Sequence, residues 1–251
     1  MTTTLMPGAE PWSHSGGPAG ALCLHGFTGS PSSMRGVAQA FAAAGLSVEL
    51  PRLPGHGTTV EEMMTTGWAD WTGEAEAAYQ RLAARTESVV VAGLSMGGSL
   101  TLWTAAQHPE VAGIVCINPA TQPQPPEVMD MVHGMIDEGT ELMPGIGSDI
   151  ALPGVVETAY SGTPLRPLVS MITGIVDLVP SYASIHCPLL LITSTQDHVV
   201  DPVQSDYLAD RYGGPVERVV LERSYHVATL DYDRELIEEQ AVEFGRKVTT
   251  R

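Results

Sequence analysis

Gly93-Leu94-Ser95-Met96-Gly97 sets a serine between two glycines, directly after the apolar run Ser88–Ala92 and ahead of a helical pattern, Ser99–His108. A strand, a turn and a helix around G-x-S-x-G present the hydroxyl on a bend too tight for side chains at the flanking positions, and the helix aims its positive end at the site. A serine hydroxyl is a weak nucleophile near neutral pH. It needs a base to take its proton and a carboxylate to orient that base. His226 follows the apolar run Val216–Leu221, and Asp197 follows Leu189–Thr195, each just past a strand end. Asp201 and His198 are rivals by proximity. Asp197 is favoured as the nearer to its strand end, whereas Asp201 is placed to cap a helix opening at Pro202. Charge that develops on an attacked carbonyl oxygen calls for fixed donors. The loop His25-Gly26-Phe27-Thr28-Gly29 offers the Phe27 N–H to pair with that of Met96. His25 is then a brace for the loop. Pro51-Arg52-Leu53-Pro54-Gly55-His56-Gly57 reads as a rigid turn, with His56 spare because a base is already supplied.

These residues need elements that bring them to one place. Six short apolar runs, Ala19–Leu24, Leu46–Leu50, Ser88–Ala92, Gly113–Asn118, Leu189–Thr195 and Val216–Leu221, alternate with longer amphipathic stretches. The stretches Ser33–Ala44, Trp68–Arg85, Gly97–His108, Pro202–Tyr212 and Arg234–Lys247 read as helices. That rhythm predicts an α/β fold, a doubly wound and mostly parallel sheet with crossover helices. Runs such as VVVAG and LLLIT lack polar alternation, as strands covered on both faces do. Asn118 to Ile185 is too long for one crossover and rich in Pro, Gly and Met. Residues 119–185 are therefore read as a small cap inserted into a core made of 1–118 and 186–251.

The 251 residues carry 29 Asp+Glu against 12 Lys+Arg, a formal charge of −17. Nucleic acid and an anionic membrane face would repel such a chain. With 43% apolar residues it has ample material for a core. No apolar stretch approaches a membrane span, and Met1–Gly20 lacks the basic and apolar blocks of a signal peptide, so a cytoplasmic protein without an integral membrane segment is expected. Cys23 and Cys116 lie in apolar runs and read as buried thiols. No pair of His or Cys recurs at ligand spacing, no G-x-G-x-x-G follows the first strand and no P-loop is present. Neither metal nor other cofactor is expected. The Trp residues read as packing.

Together HGFTGSPSSMR, RLPGHG, GLSMGG, QDHVVDP and SYHVATLDYD resemble the α/β-hydrolase superfamily, and their combination is similar to bacterial carboxylesterases and monoacylglycerol lipases with a small cap. The likeness runs from about residue 20 to residue 245. It implies a serine esterase acting on short- to medium-chain acyl esters or monoacylglycerols, working as a monomer or weak homo-oligomer. Ser95, Asp197 and His226 fall on the triad positions, and Phe27 and Met96 on the oxyanion positions. The short stretch before HGFTG implies that the usual antiparallel pair at that sheet edge is short or missing. Within 119–185, Met129, Met131, Met135 and Met143 suit either a pliant wall for an acyl chain or ordinary packing. Ile146 is expected to shape that wall. Glu157, among apolar and small residues, is expected to accept hydrogen bonds from the hydroxyls of a glycerol head group, unless it is a solvated surface acid. The same triad also serves thioester, lactone and carbon–carbon hydrolysis, and the rival of another class is a binding protein that kept the fold and lost turnover.

Overall fold

The computed structural model describes residues 4–145 and 148–250. Its strands are β1 (Trp12–His14), β2 (Ala19–Leu24), β3 (Ser47–Leu50), β4 (Ser88–Leu94), β5 (Gly113–Ile117), β6 (Leu142–Pro144), β7 (Gly162–Pro164), β8 (Leu189–Ser194) and β9 (Val216–Leu221). The helices are α1 (Arg35–Ala43), α2 (Val60–Met63), α3 (Trp68–Ala83), α4 (Met96–Gln107), α5 (Pro126–Asp137), α6 (Leu165–Leu178), α7 (Val203–Ala209) and α8 (Arg234–Thr249).

Seven strands make one sheet in the order β1-β3-β2-β4-β5-β8-β9. All neighbours are parallel except β1, which runs antiparallel to β3 with Trp12 opposite Leu50. The edge expected to be short or missing is thus reduced to one three-residue strand. The uninterrupted apolar runs split by parity between two cores, as the twofold period of a strand requires. Leu22, Leu24, Val89 and Val91 face the side covered by α3 and α4, with Trp71, Tyr79 and Leu100. Ala21, Cys23, Val90 and Ala92 face α1 and α8, with Phe41, Ile237 and Phe244. The helices cover both faces of a doubly wound sheet, so the carboxyl ends of β2, β3, β4, β8 and β9 open on one edge.

Between β5 and β8 the chain leaves the sheet. It forms α5, the antiparallel pair β6 and β7, and α6, none of which the apolar periodicity had delimited. The insertion is tied to the core by polar staples. The Trp68 N–H donates to Ser170 Oγ at 3.0 Å, and the Thr121 N–H donates to Gln204 Oε1 of α7 at 2.8 Å. Tyr160 spans two core loops: its N–H donates to the Thr28 carbonyl at 3.1 Å and its hydroxyl to the Gly55 carbonyl at 2.7 Å.

Two glycines in helices differ in what surrounds them. A methyl group on Gly97, in the first turn of α4, would collide with the carbonyls of Leu24 and His25, whereas one on Gly73, in α3, would meet nothing. Gly73→Ala is therefore expected to stabilise the protein by about 0.5–1 kcal/mol through helix propensity, raising the melting temperature by roughly 1–4 °C. Gly97→Ala is expected to lower it or to prevent folding, as read by calorimetry.

Candidate active site

Ser95 stands between β4 and α4 with φ 58° and ψ −120°. A non-glycine residue in such a conformation costs about 1–3 kcal/mol and persists only where its surroundings over-determine it. Here they do. The Ser95 N–H donates to the Ile117 carbonyl of β5 at 2.9 Å, and the Ser95 carbonyl accepts the Gly98 N–H at 2.8 Å. A side chain on Gly93 would strike the Gly97 carbonyl, so the bend closes only with glycine there. Met96, the first residue of α4, carries one of the N–H groups that a helix leaves unpaired, at its positive end.

His226 and Asp197 form a pair: His226 Nδ1 lies 2.7 Å from Asp197 Oδ2, and both side chains are buried, 8% and 2% exposed. The other Asp197 oxygen accepts the N–H groups of Val199 and Val200, each at 2.8 Å, which fixes the carboxylate without a cation. With Nδ1–H donated to Asp197, the lone pair of the neutral ring is on Nε2, where it can accept a proton. Asp201 does not compete. Its carboxylate accepts the Val203 N–H at 2.9 Å, at the start of α7. Nor does His198, whose Nδ1 is 2.8 Å from Asp149 and whose ring is 58% exposed.

Asn118, immediately after β5, joins the serine's strand to the histidine's loop. Ile117 holds the Ser95 N–H, while Asn118 Nδ2 donates to the His226 carbonyl at 2.8 Å and to Ser194 Oγ at 2.9 Å. Its Oδ1 accepts the Ser194 N–H at 2.7 Å. Asp231, fully buried, accepts the N–H groups of Ala151, Leu152, Tyr225 and Tyr232 at 2.7–2.9 Å and so ties the loop after β9 to the insertion. Sequence reasoning gave neither residue a role, although Asp231 lies in the quoted SYHVATLDYD segment and Asn118 stands at a strand end.

The HGFTG loop lies against the serine. A methyl group on Gly26 would sit 3.4 Å from Ser95 Cβ and 3.9 Å from its Oγ. Phe27 follows, with Thr28 beyond it at φ 59° donating its hydroxyl to the Phe27 carbonyl at 2.7 Å. His25 is the brace expected of it: Nε2 accepts the Leu53 N–H at 3.1 Å, and Nδ1–H donates to the Gly26 carbonyl at 3.0 Å. Burial holds its pKa well below the ordinary value, with the neighbouring His56 and Arg52 adding to the effect. His56 is also fully buried, its pKa pushed down to about 4 by burial, and packs edge-on against Phe27 and Trp71. Both rings are neutral structural pieces.

From the insertion, Glu157 reaches this loop. A methyl group on Gly29 would lie 2.7 Å from Glu157 Oε1, and the Glu157 N–H is held by Ser148 Oγ at 2.8 Å. Burial raises the Glu157 pKa to about 7, against the opposing pull of His226. It is not the fully solvated acid of the alternative reading. Ile146, expected beside it, lies outside the described residues.

Residues 21–239 match the Alpha/beta hydrolase family. This chain belongs to that family. It is 42% identical, over 97% of its own length and 96% of the relative's, to a thermostable monoacylglycerol lipase of Bacillus sp. (strain H-257). It is 26% identical to a carboxylesterase of Bacillus subtilis (strain 168), over 95% of this chain and 97% of that one. Among solved structures, one from the metagenome-derived lipolytic enzymes LipS and LipT superimposes with a TM-score of 0.92 at 43% identity, covering 97% of this chain and 100% of the other. A monoacylglycerol lipase from Paleococcus ferrophilus superimposes with a TM-score of 0.76 over 96% of this chain and 100% of the other, at 17% identity, which speaks to the fold alone. Among the described residues no helix is long and apolar enough to cross a membrane.

The raised Glu157 pKa has a consequence for stability. The folded protein keeps this proton to about pH 7, whereas the unfolded chain releases it near 4.5. Between those values the folded state binds more protons, so the group's favourable contribution is complete at low pH and declines as pH rises toward 7. Denaturant titrations should show the wild type losing stability relative to Glu157→Gln across that window. A constant difference would mean that Glu157 is ionised throughout.

Proposed function

We propose that this chain is a serine carboxylic ester hydrolase that cleaves monoacylglycerols and related short- to medium-chain esters through an acyl-enzyme. The observation that carries the reading is the buried His226–Asp197 pair, 2.7 Å apart, tied through Asn118 to the strand that holds Ser95 in its strained turn.

Ser95 Oγ attacks the ester carbonyl carbon as His226 Nε2 takes its proton. The carbonyl π bond opens, and the oxyanion is received by the N–H groups of Phe27 and Met96. Asp197 holds the imidazole in the Nδ1–H tautomer and stabilises its cationic form. Collapse of the tetrahedral species breaks the bond to the alcohol oxygen, which leaves with the proton from His226. Water, deprotonated by the same ring, then releases the acid and restores Ser95.

Glu157 gives the alcohol site its preference. It faces the HGFTG loop within the electrostatic reach of His226, the ring that protonates the departing alcohol. With a pKa near neutrality, its carboxyl group can both accept and donate hydrogen bonds to vicinal hydroxyls. The near full-length likeness to a monoacylglycerol lipase supports a glycerol head group as the occupant.

Ser95→Ala and His226→Ala are each expected to lower kcat on p-nitrophenyl butyrate by about 10⁴-fold or more, with the melting temperature little changed. Asp197→Asn is expected to cost up to ~10⁴-fold through the wrong tautomer, and Asp201→Asn almost nothing. A Ser95→Ala or His226→Ala variant keeping a tenth of wild-type activity would overturn the assignment. Glu157→Leu should lower kcat/KM on a monoacylglycerol more than on the p-nitrophenyl ester of the same acid, since a site built for hydroxyls discriminates by their presence. Equal losses would remove glycerol recognition from this residue.

A further inference from the structure

The insertion contributes one carboxylate to the backbone of both catalytic loops. Asp149 Oδ2 accepts the His226 N–H at 3.0 Å and the His198 N–H at 3.1 Å, while Oδ1 is 2.8 Å from His198 Nδ1. The Asp149 carbonyl takes the Val227 N–H at 3.1 Å. A single oxygen thus joins the backbone of the base to the residue next after its carboxylate partner, Asp197. The side chain is 11% exposed. Its surroundings are fixed: Ala151 and Leu152 are pinned to Asp231, Ile150 packs against the core, and the ring of His198 stands edge-on to Tyr225 at 4.6 Å.

We propose that Asp149 is a positioning residue for the His226–Asp197 pair, setting the separation of the loops after β8 and β9 from within the insertion. The inference rests on the catalytic reading of Ser95, His226 and Asp197. The pair's ring-to-carboxylate bond spans two loops that follow different strands, and its length is set by where their backbones stand. Asp149 and Asn118 grip the His226 residue from opposite sides, one at its N–H and the other at its carbonyl. With the Asp149 grip removed, the N–H groups of His226 and His198 lose their common partner, and the His226 loop is free to drift from Asp197 and from Ser95. A displacement of about 1 Å at a catalytic group can cost on the order of 10²-fold in rate.

An amide can keep this grip. In Asp149→Asn the oxygen can still accept both backbone N–H groups, and the amide N–H can donate to His198 Nδ1 once that ring adopts its other tautomer. The geometry therefore predicts rescue by the conservative variant. Assayed on p-nitrophenyl butyrate, Asp149→Ala is expected to lower kcat roughly 10- to 100-fold with KM changed less than about twofold, while Asp149→Asn stays within about threefold of wild type. If Asp149→Ala does not fold, Asp149→Ser is read in its place. In a His226→Ala background, Asp149→Ala should cost nothing further, because it acts through that ring. An unchanged kcat for Asp149→Ala, or a loss that multiplies onto that of His226→Ala, would overturn the inference. Retained activity in His226→Ala itself would instead overturn the catalytic reading on which it rests.

Discussion

The backbone of Ser95 at φ 58° and ψ −120° is the constraint from which the rest of the site follows. Only a bend this tight lifts the hydroxyl clear of the sheet edge while starting a helix at the next residue, and it closes only with bare glycines at positions 93 and 97. The strain is sustained by β5, whose Ile117 carbonyl holds the Ser95 N–H, and by the first turn of α4, which holds the Ser95 carbonyl. A parallel sheet is suited to that task because every neighbouring strand ends at the same edge, so each loop that follows can meet the serine.

What holds those loops is a set of buried polar side chains facing backbone N–H groups. Asp197, Asp231 and Asp149 each accept two or more N–H donors, and Asn118 both accepts and donates. A loop cannot pack like a helix or strand, because its backbone groups have no regular partners. A carboxylate between two loops satisfies several donors at once and sets the spacing of the loops to the span of its oxygens. In a chain of formal charge −17 this is an economical use of acids: their charge is met by N–H dipoles, without cations from the 12 Lys+Arg. The insertion takes part in this network through Asp149 and through the N–H groups of Ala151 and Leu152. It is structurally continuous with the loops after β8 and β9.

Much of this was legible in the residues. The strands announce themselves because a doubly covered parallel sheet needs runs such as VVVAG and LLLIT, and Ser95 announces itself because its turn tolerates nothing but glycine two residues to either side. His226 and Asp197 follow from the rule that loops after strands converge at one edge. Asp197 separates from Asp201 only in three dimensions, where one carboxylate reaches His226 and the other the Val203 N–H. The interior of the insertion was opaque for a different reason. Its strands of three residues are too short to show a twofold period, and Asp149 looks like any loop aspartate until its partners, 49 and 77 residues away, are in place. In the sequence Asn118 is only the end of a strand, and its partners in space make its amide the link between the two halves of the site.

The central claim, that this architecture makes Ser95 a nucleophile, is tested most directly by covalent capture. Intact protein is incubated with a fluorophosphonate and the adduct is located by mass spectrometry of its peptides. The account predicts one adduct per chain, on the Ser95 hydroxyl, formed rapidly by the wild type and not by His226→Ala on the same time scale. Folded wild-type protein that takes up no label, or takes it at a serine other than Ser95, would contradict it.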